Sequence, residues 1–234
     1  MSLAELKREI KNQSNVEHAK TMQWFFKTGK GEYGEGDIFV GIKVPVQRKI
    51  AKKFIELNYT DLQELLNSPV HEERLIALLI LVEKYLKAEE NGKIRVYKFW
   101  LKNIKRINNW DLVDLSAPKI LGAHLQNRDK KLLFKLAKSK NLWERRIAIV
   151  TTYSFIKAGD LITTFEIAKI LLNDEHDLIH KAVGWMLRET GKIDKYLLEE
   201  FLKPRYKKMP RTMLRYSIEK FPEELRQKYL KGMV

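Results

Sequence analysis

A chain of 234 residues with 44% apolar content is long enough to bury a substantial core and too apolar to remain disordered. Its 45 Lys and Arg against 30 Asp and Glu leave a formal charge of +15, which predicts attraction to a polyanion, either nucleic acid or an acidic membrane surface. The absence of cysteine excludes disulfides, thiolate metal sites and cysteine nucleophiles, and it suits a reducing compartment, here read as the cytoplasm.

The amino terminus, MSLAELKREIKNQSN, reads as a charged amphipathic helix and lacks the apolar core of a signal peptide. No later stretch reaches the roughly 18 apolar residues of a membrane span, so a soluble protein without a membrane partner is expected. From there on, apolar residues recur at helical spacing almost everywhere, whereas alternating strand patterns are nearly absent. Turn signals cut the chain at TGKGEYGEGD (28–37), NSP (67–69), ENG (90–92), QNRD (126–129), AGD (158–160), LND (172–174) and KPRYKKMP (203–210). Each piece between them is one helix or a helix pair. The glycine-rich GKGEYGEGD follows a helix rather than a strand and lacks the Gly-Lys-Ser/Thr ending of a phosphate loop, so it is expected to be a flexible loop.

The helices repeat. EERLIAL at 72–78 aligns with WERRIAI at 143–149, an offset of 71, and IHKAVGW places Ala182 a further 34 residues beyond Ala148. Helix pairs therefore recur about every 35 residues. This predicts an all-α, HEAT-like helical repeat solenoid, a single domain over 1–234, in which each unit buries its apolar stripe against its neighbours and curvature creates a concave face. Three basic segments, KVPVQRKIAKK, KIRVYKFWLKNIKR and KPRYKKMPRTMLR, contain no acid, and RDKKLLFKLAKSK has only Asp129. Placed on one face they would form a basic groove that tracks a phosphate backbone. Spread over the surface they would be an ordinary solvated lysine coat.

Two carboxylates stand out in INNWDLVDLSAPKILG (107–122). Trp110 and Asp114, four apart, share a helix face, while Asp111 belongs to the first turn, where it complements the helix dipole beside a capping Asn108 or Asn109. Pro118 and Gly122 predict that this helix ends soon after Asp114. A carboxylate beside an indole makes a small site for a cation, with a salt bridge to a nearby arginine as the alternative. NLWERRIAIV brings Trp143, Arg145 and Arg146 together, and KAVGWMLRE brings Trp185 and Arg188, pairing stacking planes with guanidinium groups as a nucleic-acid site does. A tryptophan in an apolar helix is also a core residue by default, so at least one of Trp143 and Trp185 is expected to be buried. His176 and His180 in HDLIH are a possible metal pair without a third ligand, and no metal is expected.

Taken in order, GIKVPVQRKI, WDLVD, WERRIAIV and KAVGWMLRE resemble the AlkD-like DNA glycosylases, a family of helical-repeat DNA alkylation repair proteins, over nearly the whole chain. The resemblance implies an arc of HEAT-like repeats that clasps duplex DNA and excises purines carrying a positive charge from ring alkylation. It makes Asp114 the catalytic aspartate and Trp110 the aromatic packed on the lesion's deoxyribose. It makes Arg146 a DNA-contacting arginine and Trp185, followed by Arg188, the second tryptophan of the cleft. Phe25, in MQWFFK, takes the place of a family tyrosine and so lacks its hydroxyl. No metal or organic cofactor is implied, and the partner is duplex DNA bound by a monomer. Two other classes compete: a non-catalytic, DNA-structure-sensing member of the same family, and a helical-repeat protein scaffold that would do without the groove.

Overall fold

The first helix is set by its cap. Ser2 accepts from the Glu5 backbone N–H while the Glu5 carboxylate accepts from that of Ser2, a reciprocal capping box that starts α1 (Leu3–Gln13). In the computed structural model, which describes residues 1–234, α1 is followed by α2 (Val16–Phe25), α3 (Val44–Lys53), α4 (Tyr59–Asn67), α5 (His71–Lys87), α6 (Glu90–Lys102) and α7 (Trp110–Ala117). The chain clusters into two compact units, Met1–Ser116 and Ala117–Val234. In the first, α5 is the central helix, packed against α3, α4 and α6. Its segment Leu75–Val82 is buried on every side, which is why the sequence there shows an apolar run rather than a stripe.

The second unit continues from α7 through a π-helical turn (Pro118–Gly122) into α8 (Ala123–Leu125). It then adds α9 (Lys131–Ala137), α10 (Leu142–Lys157), α11 (Ile162–Ile170), α12 (Asp177–Ile193), α13 (Lys195–Leu202), α14 (Arg211–Ser217) and α15 (Glu223–Lys231). Here α10 and α12 are the long buried helices. α12 and α14 approach so closely that a Cβ at Gly184 would lie 2.5 Å from the Tyr216 Cβ and 2.6 Å from the Met213 carbonyl oxygen.

The chain is all-helical as the spacing predicts, with no strand and only an isolated bridge between Ile38 and Val70. The self-similar segments fall on the long helices: EERLIAL on α5, WERRIAI on α10, IHKAVGW on α12. No helix is long and apolar enough to cross a membrane. Two expected boundaries are corrected. ENG at 90–92 is not a turn, because the chain breaks at Ala88, and Gly92 lies inside the first turn of α6. Nor does the helix that begins at Trp110 end at Pro118. Proline lacks the N–H that would bond the Asp114 carbonyl four residues back, and its ring crowds that carbonyl. The helix widens instead, and the Ala123 N–H reaches the Pro118 carbonyl five residues earlier, so the coil runs on to Leu125.

Candidate functional site

In the first unit the site is built upward from a buried ionic cluster. His71, at 0% exposure, opens α5, with Nδ1 3.0 Å from Asp37 Oδ2 and Nε2 2.9 Å from Asp111 Oδ2. Ionised carboxylates only accept, so both ring nitrogens carry protons and the ring is an imidazolium. Burial pulls its pKa down, but the two carboxylates outweigh burial and raise it to about 9. Asp37 is itself buried, which alone would push its pKa up. His71, the Arg74 guanidinium (Nη2 2.6 Å away) and Asn109 Nδ2 (3.0 Å away) reverse that and hold it below the ordinary carboxylate value. The cluster Asp37, Asp111, His71 and Arg74 is neutral in sum, as a buried set of charges must be.

A second carboxylate fastens the same loop. Glu72, fully buried, accepts from the backbone N–H groups of Val40, Gly41 and Ile42 at 2.8 to 3.2 Å. Gly41 has φ 84, and a Cβ there would fall 2.0 Å from the Asn15 carbonyl oxygen and 2.7 Å from the Ala19 nitrogen. The loop between α2 and α3 can therefore lie directly on the start of α2 only with glycine at this place. The segment expected to be a flexible loop thus ends at an anchored point, Asp37, and Gly41 anchors the chain four residues later.

An aromatic stack stands on this base. The Phe39 ring stacks on His71 with centroids 4.4 Å apart, and Phe26 lies 4.7 Å from Phe39 and 5.1 Å from His71. Trp110 stacks on Phe26 at 4.8 Å and 7°, and Phe25 meets Trp110 edge-on at 5.9 Å. Buried charge, ring and ring again fix the plane of the half-buried Trp110 indole. One turn further along α7, four residues before Pro118, is Asp114, half-buried. Phe25, Trp110 and Asp114 thus belong to one unit, and Phe25 and Trp110 touch.

Asp111 stands in the first turn of α7 as expected, with Oδ1 accepting from Leu112 N at 2.8 Å, but it does more than complement the helix dipole: it is 4% exposed, and its Oδ2 is a partner of His71. The N-terminal N–H of this helix is served by Asn109, whose Oδ1 accepts from Trp110 N at 2.8 Å.

In the second unit, Trp143 is buried, as expected for one of the pair, and Trp185 is half-buried. Trp185 of α12 lies 5.9 Å from the Tyr153 ring of α10, and the Lys157 ammonium lies 5.4 Å over Tyr153, so two rings and a cation are gathered at one surface. Arg146 is buried and donates from Nη1 to the Leu178 carbonyl at 2.7 Å, tying the start of α10 to the start of α12. Arg145 forms a similar brace to Asp174 at 2.6 Å. Arg188 lies between two carboxylates: it donates to Glu189 at 3.1 Å and to Glu219. Of the two histidines, His176 accepts from Leu178 N at 3.1 Å as the cap of α12, and His180 bonds the Asp174 carbonyl.

Sequence reasoning missed His71, Asp37, Glu72 and Tyr153. HEER looks like an ordinary charged first turn, and the only hint was that four polar residues directly precede a run buried on all sides. Tyr153 carried no signal except its place on the helix that bears WERR.

The chain also has likenesses among known proteins. The family described as DNA alkylation repair enzyme matches residues 6–221. Proteins of curated function give no match. Among solved structures, a protein described as a predicted DNA alkylation repair enzyme from Enterococcus faecalis is similar at a TM-score of 0.68 and 17% identity, over 90% of this chain and 98% of that one.

Proposed function

The chain belongs to the DNA alkylation repair enzyme family, and from that premise we propose that it is a DNA glycosylase acting on purines alkylated on ring nitrogens in duplex DNA. The observation that carries this is the pairing of Asp114 with Trp110, a carboxylate one helical turn beyond an indole whose plane is fixed by Phe26 and the His71 cluster. Alkylation leaves the purine cationic, so when the bond between base and C1′ breaks, its electron pair neutralises the departing base. The unmet need is at the sugar, which becomes an oxocarbenium-like cation. Asp114 supplies a fixed negative charge for that cation and accepts a hydrogen bond from the water that attacks C1′. Trp110 offers its negative ring face to the same sugar edge. At an effective dielectric near 20, two unit charges about 4 Å apart attract by ~4 kcal/mol, enough to make one carboxylate a large part of the catalysis.

The roles of the other site residues follow from their contacts. Phe25 packs on Trp110 and offers a ring, without a hydroxyl, toward the DNA. Trp185, backed by Tyr153, gives the second aromatic face, and Arg146, through the Leu178 carbonyl, and Arg188, through Glu219, hold α12 where that face is presented. The net charge of +15 supports a phosphate-dominated, weakly sequence-dependent grip on duplex DNA. No step calls for a metal or organic cofactor, and one chain on one duplex suffices for the chemistry.

The test is direct. Duplex DNA containing 7-methylguanine is incubated with the protein and released base is quantified, while binding to unmodified duplex is followed as salt rises. Base release together with an affinity that falls steeply between low and physiological salt is expected. Binding with no release would leave a non-catalytic DNA sensor, and affinity insensitive to salt would favour the protein scaffold.

A further inference from the structure

The end of α2 carries a feature that excision does not use. Trp24 is 73% exposed, more than any of the other four tryptophans, and its neighbour Phe25 is 55% exposed. The Lys27 ammonium stands 5.2 Å from the centre of the Trp24 ring. The helix closes with Thr28 N–H on the Gln23 carbonyl and Lys27 N–H on the Trp24 carbonyl, both 3.3 Å. That double closure requires a left-handed residue at position 27, normally glycine. Lys27 has φ 55, the one non-glycine residue of the chain with positive φ. Gly34 N–H bonds its carbonyl at 3.0 Å and keeps it there. A lysine in a glycine conformation, with its head group over an exposed indole, is backbone strain offset only by an exposed cation–π contact.

The surroundings favour a nucleotide. Glu32 and Glu35, the nearby loop acids, accept from Gly29 and Gly31 N–H at 2.9 Å, and Lys20 is paired with Glu17 at 2.9 Å, while Lys27 and Lys30 stay exposed. Bases inside a paired stack have both faces covered, so an exposed indole can stack only on a base that has left it. The sugar–phosphate of such a base needs a cation close beside the ring. We propose that Trp24 and Lys27 form a second DNA contact, in which the indole stacks on a nucleobase displaced from the duplex and the Lys27 ammonium binds that nucleotide's phosphate. The contact rests on the reading of the chain as a DNA-binding repair enzyme and adds to it a preference for locally unstacked duplex.

The experiment uses two duplexes without any alkylated base, so that no excision can occur. One is fully paired and contains 2-aminopurine. The other places the same 2-aminopurine opposite an abasic-site analogue, which frees it from the stack. Wild type is expected to bind the second about tenfold more tightly and to quench its fluorescence, since stacking on an aromatic side chain is worth that much. Trp24→Ala should lose both the preference and the quenching, Trp24→Phe should keep most of each, and Trp24→Leu, apolar but without a ring, should behave like Ala. Lys27→Gly should raise the melting temperature while weakening binding to both duplexes severalfold. Base release from 7-methylguanine DNA is measured alongside. If wild type releases base yet shows no preference between the duplexes, or if Trp24→Ala keeps the preference, the contact is refuted while the glycosylase stands. If wild type binds neither duplex, both fall together. A change in self-association of Trp24→Ala with unaltered DNA preference would make this face a protein contact and also overturn the proposal.

Discussion

Raising the pH from 6.5 to 9 should destabilise this protein through a single residue. His71 titrates at 6.5 when unfolded and at about 9 in the cluster, so between those values the folded chain holds one more proton than the unfolded chain. Stability supplied by a raised pKa is fully present below 6.5 and is lost as pH climbs through the folded value. At ~1.4 kcal/mol for each pH step, the whole interval removes ~3 kcal/mol. For a chain of this size that is a fall in melting temperature of about 6 to 12 °C. Asp37 works in the opposite direction and over a different range: its depressed pKa gives stability that is present above about 4 and lost in acid. Urea unfolding at pH 6, 7, 8 and 9 measures the slope, and His71→Gln, which cannot titrate, supplies the baseline because every lysine is common to both. His71→Gln should be less stable than wild type by roughly 3 kcal/mol at pH 6, as expected when one member of a buried charge set is removed, and the two should converge toward pH 9. Parallel curves, with the same difference at all four pH values, would show that His71 is not held as an imidazolium.

Asp111→Asn removes one of the two carboxylates on His71 and should cost about 3 kcal/mol in denaturant unfolding. Gly184→Ala forces a methyl group to 2.5 Å from the Tyr216 Cβ, so α12 and α14 must separate, and thermal unfolding should register a loss of ~1–3 kcal/mol.

How much of this could be read without coordinates depends on the range of the interaction concerned. The helical periods and most turns were legible because they are local: AGD and QNRD end helices where the spacing says they should. Trp110 and Asp114 were legible because a helix puts residues four apart on one face. Pro118 misled because its cost was counted against a helix of ordinary pitch, and the π-helical turn removes the clash without breaking the coil. The pairing of Asp111 with His71 was missed for a deeper reason. A charged residue in a first helical turn is usually solvated, and only the return of the loop, 34 residues before His71, brings Asp37 to the other side of the imidazole. Nothing in the spacing of Asp37, His71 and Asp111 announces that they share one site.

The glycosylase proposal turns on the charge of Asp114, and a single-turnover comparison addresses it most directly. Wild type and Asp114→Asn are mixed in excess with duplex DNA containing 7-methylguanine, and released base and bound DNA are followed in the same samples. Asparagine keeps the shape of the side chain and deletes its charge, so DNA binding should be unchanged or slightly stronger, with one repulsion from phosphate gone. Excision should fall about a hundredfold, ~3 kcal/mol of lost transition-state stabilisation. Equal rates of base release from the two proteins would contradict the assignment.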